Sequence, residues 1–527
     1  MTSLAGTVAL TRLALRLDRV RLPLWVVVIG ILPAATAANY RKLYPTAADL
    51  AAITGVVDSP SLVAMGGPLF RVSLGGLTAW KVGATTFILA GLMSVLTLIR
   101  HTRTEEESGR LELVGSTVVG RHAALTAGLL TVALADAGTM LVTVLGLLKA
   151  GMPAPGSLAL GLAIGLSGMA FAAIAAVCAQ LTTAARTATG ITSATLGGAY
   201  LLRALGDTGP TWLSWVSPIG WAIRIRAYAG EQWWVAGLFA GLVAALLTAA
   251  YVLRARRDVG AGLIPERPAA PAAGPELAGP LGLAWRQHRG SLLGWVIGVA
   301  LAAAAMGGAV RGISSATNIS QQMLDVLARM GGRKALVDQF LAAVVGIAGL
   351  TVTAYTVQAT LRLRAEESAG HVEPLLATRV SRIRWALSHL TFSVGGTALL
   401  LAVFGAVTGA VYGLQVHDPV GQALRITGAS LAQLPAAWVL TGIGVALFGL
   451  SPRLATLTWA ALITCVLLVE FGVFLGLSDW AVDLSPFAHV PKLPGADFTV
   501  TPLAWLTGVA ALLGIAGLTR FRRRDIG

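Results

Sequence analysis

The sequence predicts an all-α polytopic membrane protein: about twelve transmembrane helices as two parallel six-helix repeats, both termini cytoplasmic. Three observations predict it. Of 527 residues, 56% are hydrophobic and 12% charged, at a mean hydropathy of +0.76. Soluble domains carry about 25% charged residues, so this composition cannot clothe a soluble surface. Apolar runs of 18 or more residues recur along the chain, each long enough to cross a bilayer as a helix. The chain also matches itself in order, half against half.

The runs lie near 22–39, 79–99, 123–149, 158–183, 188–205 and 233–253, then near 292–310, 341–361, 385–414, 423–450, 454–477 and 501–519. Pro435 inside the tenth predicts a kink. With the N-terminus inside, the inner segments hold 25 of the 39 Lys and Arg, the bias of the positive-inside rule. That bias accounts for the pI near 10.8, and no nucleic acid is needed. The first run ends in Ala35-Thr36-Ala37, which imitates a signal-peptide cleavage site. The basic region ahead of it is too long and the run has a counterpart at 292–310, so it reads as a retained span. Cys178 and Cys465 both fall in apolar spans and the His are scattered, so neither a disulfide framework nor a metal site is expected.

Four anchors carry the repeat. Arg19 and Trp25 match Arg289 and Trp295, and Met65-Gly66-Gly67 matches Met330-Gly331-Gly332. Residues 103–121 match 364–382 without a gap, and Arg257-Asp258-Val259-Gly260 matches Arg524-Asp525-Ile526-Gly527. An even number of spans per half makes the halves parallel. Residues 1–253 form the first repeat and 281–527 the second. Residues 254–280, with five prolines among Ala and Gly, read as a semi-rigid cytoplasmic linker.

The loop between spans 2 and 3, and its copy between spans 8 and 9, concentrate the charge. The first holds Arg103, Glu105, Glu106, Gly109, Arg110, Glu112 and Arg121; the second holds Arg364, Glu366, Glu367, Gly370, His371, Glu373 and Arg382. Glu106 with Arg110, and Glu367 with His371, stand at i,i+4. The picture is a short amphipathic helix at the inner surface, charged face to the cytosol: a docking surface, or a solvated interfacial helix. Near the N-terminus, Arg12, Arg16 and Arg19 opposite Leu10, Leu13 and Leu17 read as an interfacial helix leading into span 1. No phosphate-binding loop ending in Gly-Lys-Ser/Thr occurs, so this chain does not hydrolyse ATP through one.

Six-span halves, the acidic Gly-containing loop, Ser217-Pro218 and Ser485-Pro486 before the last spans, and the arginine clusters at 254–258 and 520–525 together resemble the ABC-2 class of exporter permeases. The fused double form is similar to actinobacterial exporters of polyketide antibiotics of the tetronasin type. The resemblance implies a permease, not an enzyme, in the cytoplasmic membrane. It implies that hydrophobic drugs move outward and that a separate ATPase, in two copies, carries ATP and Mg. This chain would hold no cofactor of its own. The ATPase would dock on Arg103, Glu105, Glu106, Gly109, Glu112, Arg364, Glu366, Glu367, Gly370 and Glu373. Pro374, and the lack of an acid matching Glu107, make the second loop's helix shorter or bent.

Asp136 and Glu470 lie within spans, where an ionisable group costs about 2.5–3.5 kcal/mol on insertion scales. They are either functional or held by neighbouring polar groups. The alternative reading is an ion-coupled secondary drug transporter, whose twelve spans also form parallel halves. It would want more intramembrane charges than these two.

Overall fold

Long apolar runs satisfy their backbone polar groups in a bilayer only as helices or closed barrels. Every regular element among the described residues is a helix. The computed structural model describes residues 3–46, 60–115, 118–258, 260–264, 274, 277, 279–314, 332–471 and 478–525. Among them ten helices are long and apolar enough to span a membrane. The chain separates into two compact units, Met1–Ala269 and Ala270–Gly527.

The first unit runs α1 (Thr7–Leu17), α2 (Arg21–Leu43), α3 (Pro60–Gly66), α4 (Leu74–Ile99), α5 (Arg110–Gly115), α6 (Ala123–Lys149), α7 (Ala154–Leu181), α8 (Ala185–Thr208), α9 (Trp212–Val216), α10 (Pro218–Arg224) and α11 (Val235–Ala255). Its centre is α7, packed on α4, α6 and α11 and buried through small residues such as Ala159, Gly161, Ala163, Ser167 and Gly168. In lipid, helices associate by such close packing, because burial from water supplies no drive there. The helix α8 forms where a fifth span is expected. It carries Arg186, Arg203 and Asp207 and is not among the ten.

The second unit runs α12 (Pro280–Ser314), α13 (Gly332–Thr360), α14 (Arg362–Ser368), α15 (Val372–Leu376), α16 (Arg382–Gln415), α17 (Pro419–Leu431), α18 (Leu434–Leu450), α19 (Leu457–Phe471), α20 (Asp479–Val482) and α21 (Val500–Arg523). Gly405, Gly409 and Gly413 form an i, i+4, i+8 stripe on α16. A Cβ at any of them would collide with the backbone of α17 or its approach, at Thr427, Gln422 and Pro419. The expected span 423–450 is two helices, α17 and α18, broken at Ala432–Gln433 with Pro435 in the first turn of α18. Pro suits that position because the N–H it lacks would have no partner there. The helix α19 has 15 residues, and 472–477 lie outside the described residues, so the eleventh expected span is described only in part.

The N-terminal helix differs in detail from its expected face. Thr7, Thr11 and Ala14 are its buried residues, while Arg12, Arg16, Leu13 and Leu17 are exposed. At the other end of the unit, residues 260–264 do not hang free. Leu263 N donates to Gln180 O at 3.2 Å and Ile264 N to Leu181 O at 2.9 Å, so the first part of the expected linker packs on the end of α7.

Candidate functional site

In the first unit α4 does not stop at Ile99. It continues through a π-helical turn, Arg100–Thr104, into Glu105–Glu107. Gly109 then ends it in the left-handed conformation, φ +73°, which a side chain at Cβ disfavours. The second unit repeats the device: α14 ends at Gly370, also φ +73°, and α15 starts two residues later.

This break redirects the charges. Across it, the i,i+4 pairs expected from the spacing do not form. Arg110 pairs instead with Glu105 at 3.4 Å, and His371 with Glu366 at 3.2 Å. The released acid of each pair turns inward to the far end of its own unit. Arg257 donates to both oxygens of Glu106, at 2.7 and 2.8 Å. Arg524 Nη2 lies 2.7 Å from both oxygens of Glu367. Arg257 and Arg524 are the same position of the repeated anchor.

Around Glu106 the site is buried and crowded. Gly260 N donates to it at 2.8 Å, Arg103 Nη1 at 3.0 Å, and Arg254 stands 3.6 Å away. Arg103, 1% exposed, also reaches the carbonyls of Thr183, Ala261 and Gly260. Gln180 Oε1 accepts from Arg257 Nε at 2.9 Å. Arg121 donates to the carbonyls of Arg254 and Ala255, and Arg382 matches it on those of Arg522 and Arg524. In the second unit the charge is divided between two acids: Glu366 takes Arg362 at 2.9 Å and Gln287 at 3.0 Å besides His371. Arg524 also lies over the Phe448 ring at 5.1 Å. Arg364 Nε is buried without a hydrogen-bond partner among the described residues, and the match to Gly260, Gly527, lies outside them.

The expectation that the whole acidic set faces outward is therefore corrected. Glu106 and Glu366 are buried, and Glu367 is turned onto Arg524. Burying a carboxylate beside several guanidinium groups is feasible because hydrogen bonds satisfy it from every side. Glu112 and Glu373, at matching positions after the glycines, are exposed, as is Glu107, whose Oε2 accepts from Ala185 N at 3.0 Å. Arg257, Arg524, Arg254 and Gln180 complete these clusters. The sequence shows these arginines as a repeated anchor and a basic cluster, with nothing in it that pairs them with the acids.

A second staple lies beside each cluster. Asp18, 1% exposed, accepts from His101 Nε2 at 2.6 Å with Arg100 at 3.4 Å. The position matching Asp18 in the second unit is His288, which meets His389 at 3.1 Å and stacks on Phe392.

Within the spans, Asp136 is buried, and Ser94 Oγ lies 3.0 and 3.1 Å from its two oxygens. Gly168 on α7 packs against the carboxylate. The acid is thus held by a neighbouring helix. The side chain of Glu470 lies outside the described residues. Arg203, fully buried on α8, donates to Met65 O at 2.9 Å and Val63 O at 3.3 Å, with Asp207 at 3.6 Å. It thereby caps the carbonyl end of α3, the Met-Gly-Gly anchor of the first half. Met330-Gly331 of the second half lies outside the described residues. No cluster of three metal-ligating side chains occurs among the described residues.

The second unit also holds a cavity of about 560 Å³. One face of α13 lines it with Ala342, Ala343, Gly346 and Ile347; Phe487 and Val490 stand among its other walls, and Gln339, Gln433 and Lys492 supply its polar atoms. The volume and mostly apolar lining suit a drug-sized hydrophobic molecule.

A sequence model of the family described as multidrug efflux system permease Rv1217c, C-terminal domain, matches residues 277–522. The multidrug efflux system permease protein Rv1217c of Mycobacterium tuberculosis is 44% identical over 99% of this chain and 95% of its own length. The chain belongs to this permease family. With ten apolar helices of spanning length among the described residues, it is a multi-pass protein of the cell membrane. The relative's likeness runs through both units.

Proposed function

We propose that the chain is the membrane-spanning subunit of an ATP-driven drug exporter of the ABC-2 type, and that a separate ATPase, in two copies, powers it. The observation that carries this reading is the efflux-permease relative, similar over 99% of the chain. The absence of a phosphate-binding loop from the sequence favours a partner that hydrolyses ATP, and ATP and Mg would be held there. We read the two units as copies of one six-helix plan with both termini cytoplasmic. The Glu106–Arg257 and Glu367–Arg524 contacts, at matching places in the repeat, support that reading, as does the positive-inside count.

On this reading, each clasp ties the elbow after a unit's second span to the end of its last span. A push on the elbow then moves two spans together. Glu112 and Glu373 are the exposed acids that would meet cations on the ATPase. The cavity of the second unit would hold a hydrophobic drug on its way outward.

The test is reconstitution of the chain with the P-loop ATPase that co-purifies with it. Efflux of a hydrophobic dye should require ATP and should survive collapse of the proton and sodium gradients. Dye export that stops when the gradients collapse, with no ATPase bound, would establish the ion-coupled alternative instead.

A further inference from the structure

At the end of α4 remote from the Glu106 cluster, the first unit holds a second large cavity, of about 510 Å³. The 26 residues of α4, about 39 Å at 1.5 Å per residue, lie between the two places. Four segments meet there: Arg41 at the end of α2, Arg71 to Gly75 at the start of α4, Gly151 to Gly156 between α6 and α7, and Tyr228 to Glu231 ahead of α11.

The lining is divided by chemistry. Arg41 is anchored through Nη2 to Gly151 O at 3.3 Å, which holds its guanidinium against the α6–α7 turn. Arg71 is exposed at the cavity without an ion pair among the described residues. Among the described residues one acid, Glu231, shares this lining, and its Oε1 already accepts from Tyr228 N at 3.2 Å. The Tyr228 hydroxyl is bonded to Ser157 at 2.8 Å. Burial pushes that phenol up to about 12, so it adds no negative charge at neutral pH. The starts of α4 and α7 add the positive ends of two long helices. Leu74, Met152, Pro153 and Pro155 add apolar surface to the same lining.

Two guanidinium groups and apolar side chains lining one space, far larger than an inorganic ion, suit an anionic head joined to an apolar neck. We propose that this cavity binds the phosphate or carboxylate head of an amphiphile through Arg41 and Arg71. In the orientation argued above it opens at the outer surface, where a span begins and headgroups lie. The proposal stands whichever energy source drives transport. A membrane phosphodiester and a free phosphate share the recognising chemistry, and the experiment separates them.

The full-length chain is reconstituted in nanodiscs of mixed phosphatidylglycerol and phosphatidylcholine, then extracted in detergent, and the lipids it retains are weighed by native mass spectrometry. Phosphatidylglycerol should be enriched on the wild-type chain. Arg71→Ala and Arg41→Ala should each lower that retention about tenfold, the loss of one charge-assisted contact. Arg71→Lys should retain part of it, and Arg453→Ala, remote in sequence and in the other unit, should change nothing. Melting temperatures measured alongside separate loss of the site from loss of the fold. Equal retention of the two lipids by the wild type, or unchanged retention in the well-folded double variant Arg41→Ala/Arg71→Ala, would overturn the proposal. Displacement of the lipid by excess inorganic phosphate would assign the site to a free anion and overturn the amphiphile.

Discussion

The Glu106 cluster of the first unit and the Glu366–Glu367 cluster of the second start from matching sequence and reach different electrostatic solutions. In the first, one carboxylate, 2% exposed at its side chain, is shared by Arg103, Arg254 and Arg257. In the second, two carboxylates divide Arg362, His371 and Arg524, and the Glu367–Arg524 pair keeps 8% and 15% exposure. The neighbouring staple follows the same division: an Asp18–His101 contact in one unit, a His288–His389 contact in the other. What both retain is the glycine at φ +73° and the acid-to-arginine clasp. The comparison teaches that the conformational break and the long-range clasp are the common plan, while the number of charges inside it differs.

The largest expected effect tests that difference. Glu106→Ala leaves three arginines together in a buried site, and breaking a buried pair by removing one partner costs about 3–5 kcal/mol. The folded yield in membranes should collapse, and the melting temperature of what remains should fall steeply. Glu367→Ala strands one arginine that lies over Phe448 and is partly exposed, so its loss of melting temperature should be about half as large. Equal losses in the two variants would show that the extra arginines around Glu106 add nothing.

A smaller and equal effect is expected at the shared break. Among the described residues nothing lies within 4 Å of a Cβ built on Gly109 or Gly370, so Gly109→Ala and Gly370→Ala meet only the left-handed penalty of about 1–2 kcal/mol. Thermal melts of the two variants in one detergent should coincide. A clear difference between them would mean that the two elbows are not equivalent.

The smallest effect on stability belongs to the exposed acids. Glu112→Ala and Glu373→Ala should leave melting unchanged, since surface changes away from networks seldom register. On the proposed reading, the same variants should weaken co-purification of a partner ATPase and the hydrolysis it would couple to transport. Full association and full coupling in the double variant would remove both acids from the proposed docking surface.

Much of this was legible in the residues. Apolar length, rare charge and the basic bias announce spanning helices, because the bilayer admits few other backbones. The ungapped match of 103–121 to 364–382 located both elbows, and Pro435 marked a real break. Asp136 was legible as a buried acid, though its bond from Ser94 on another helix was not. Tertiary structure decided which acid faces which cation. Helical periodicity paired Glu106 with Arg110, but one left-handed glycine ends that periodicity, and the partner that Glu106 takes stands 151 residues away. Such a choice depends on three-dimensional proximity and desolvation. The sequence by itself determined that acids, glycines and arginines recur in register; only the packed helices decided that the acids turn inward, because only there do enough N–H groups converge to hold a buried charge.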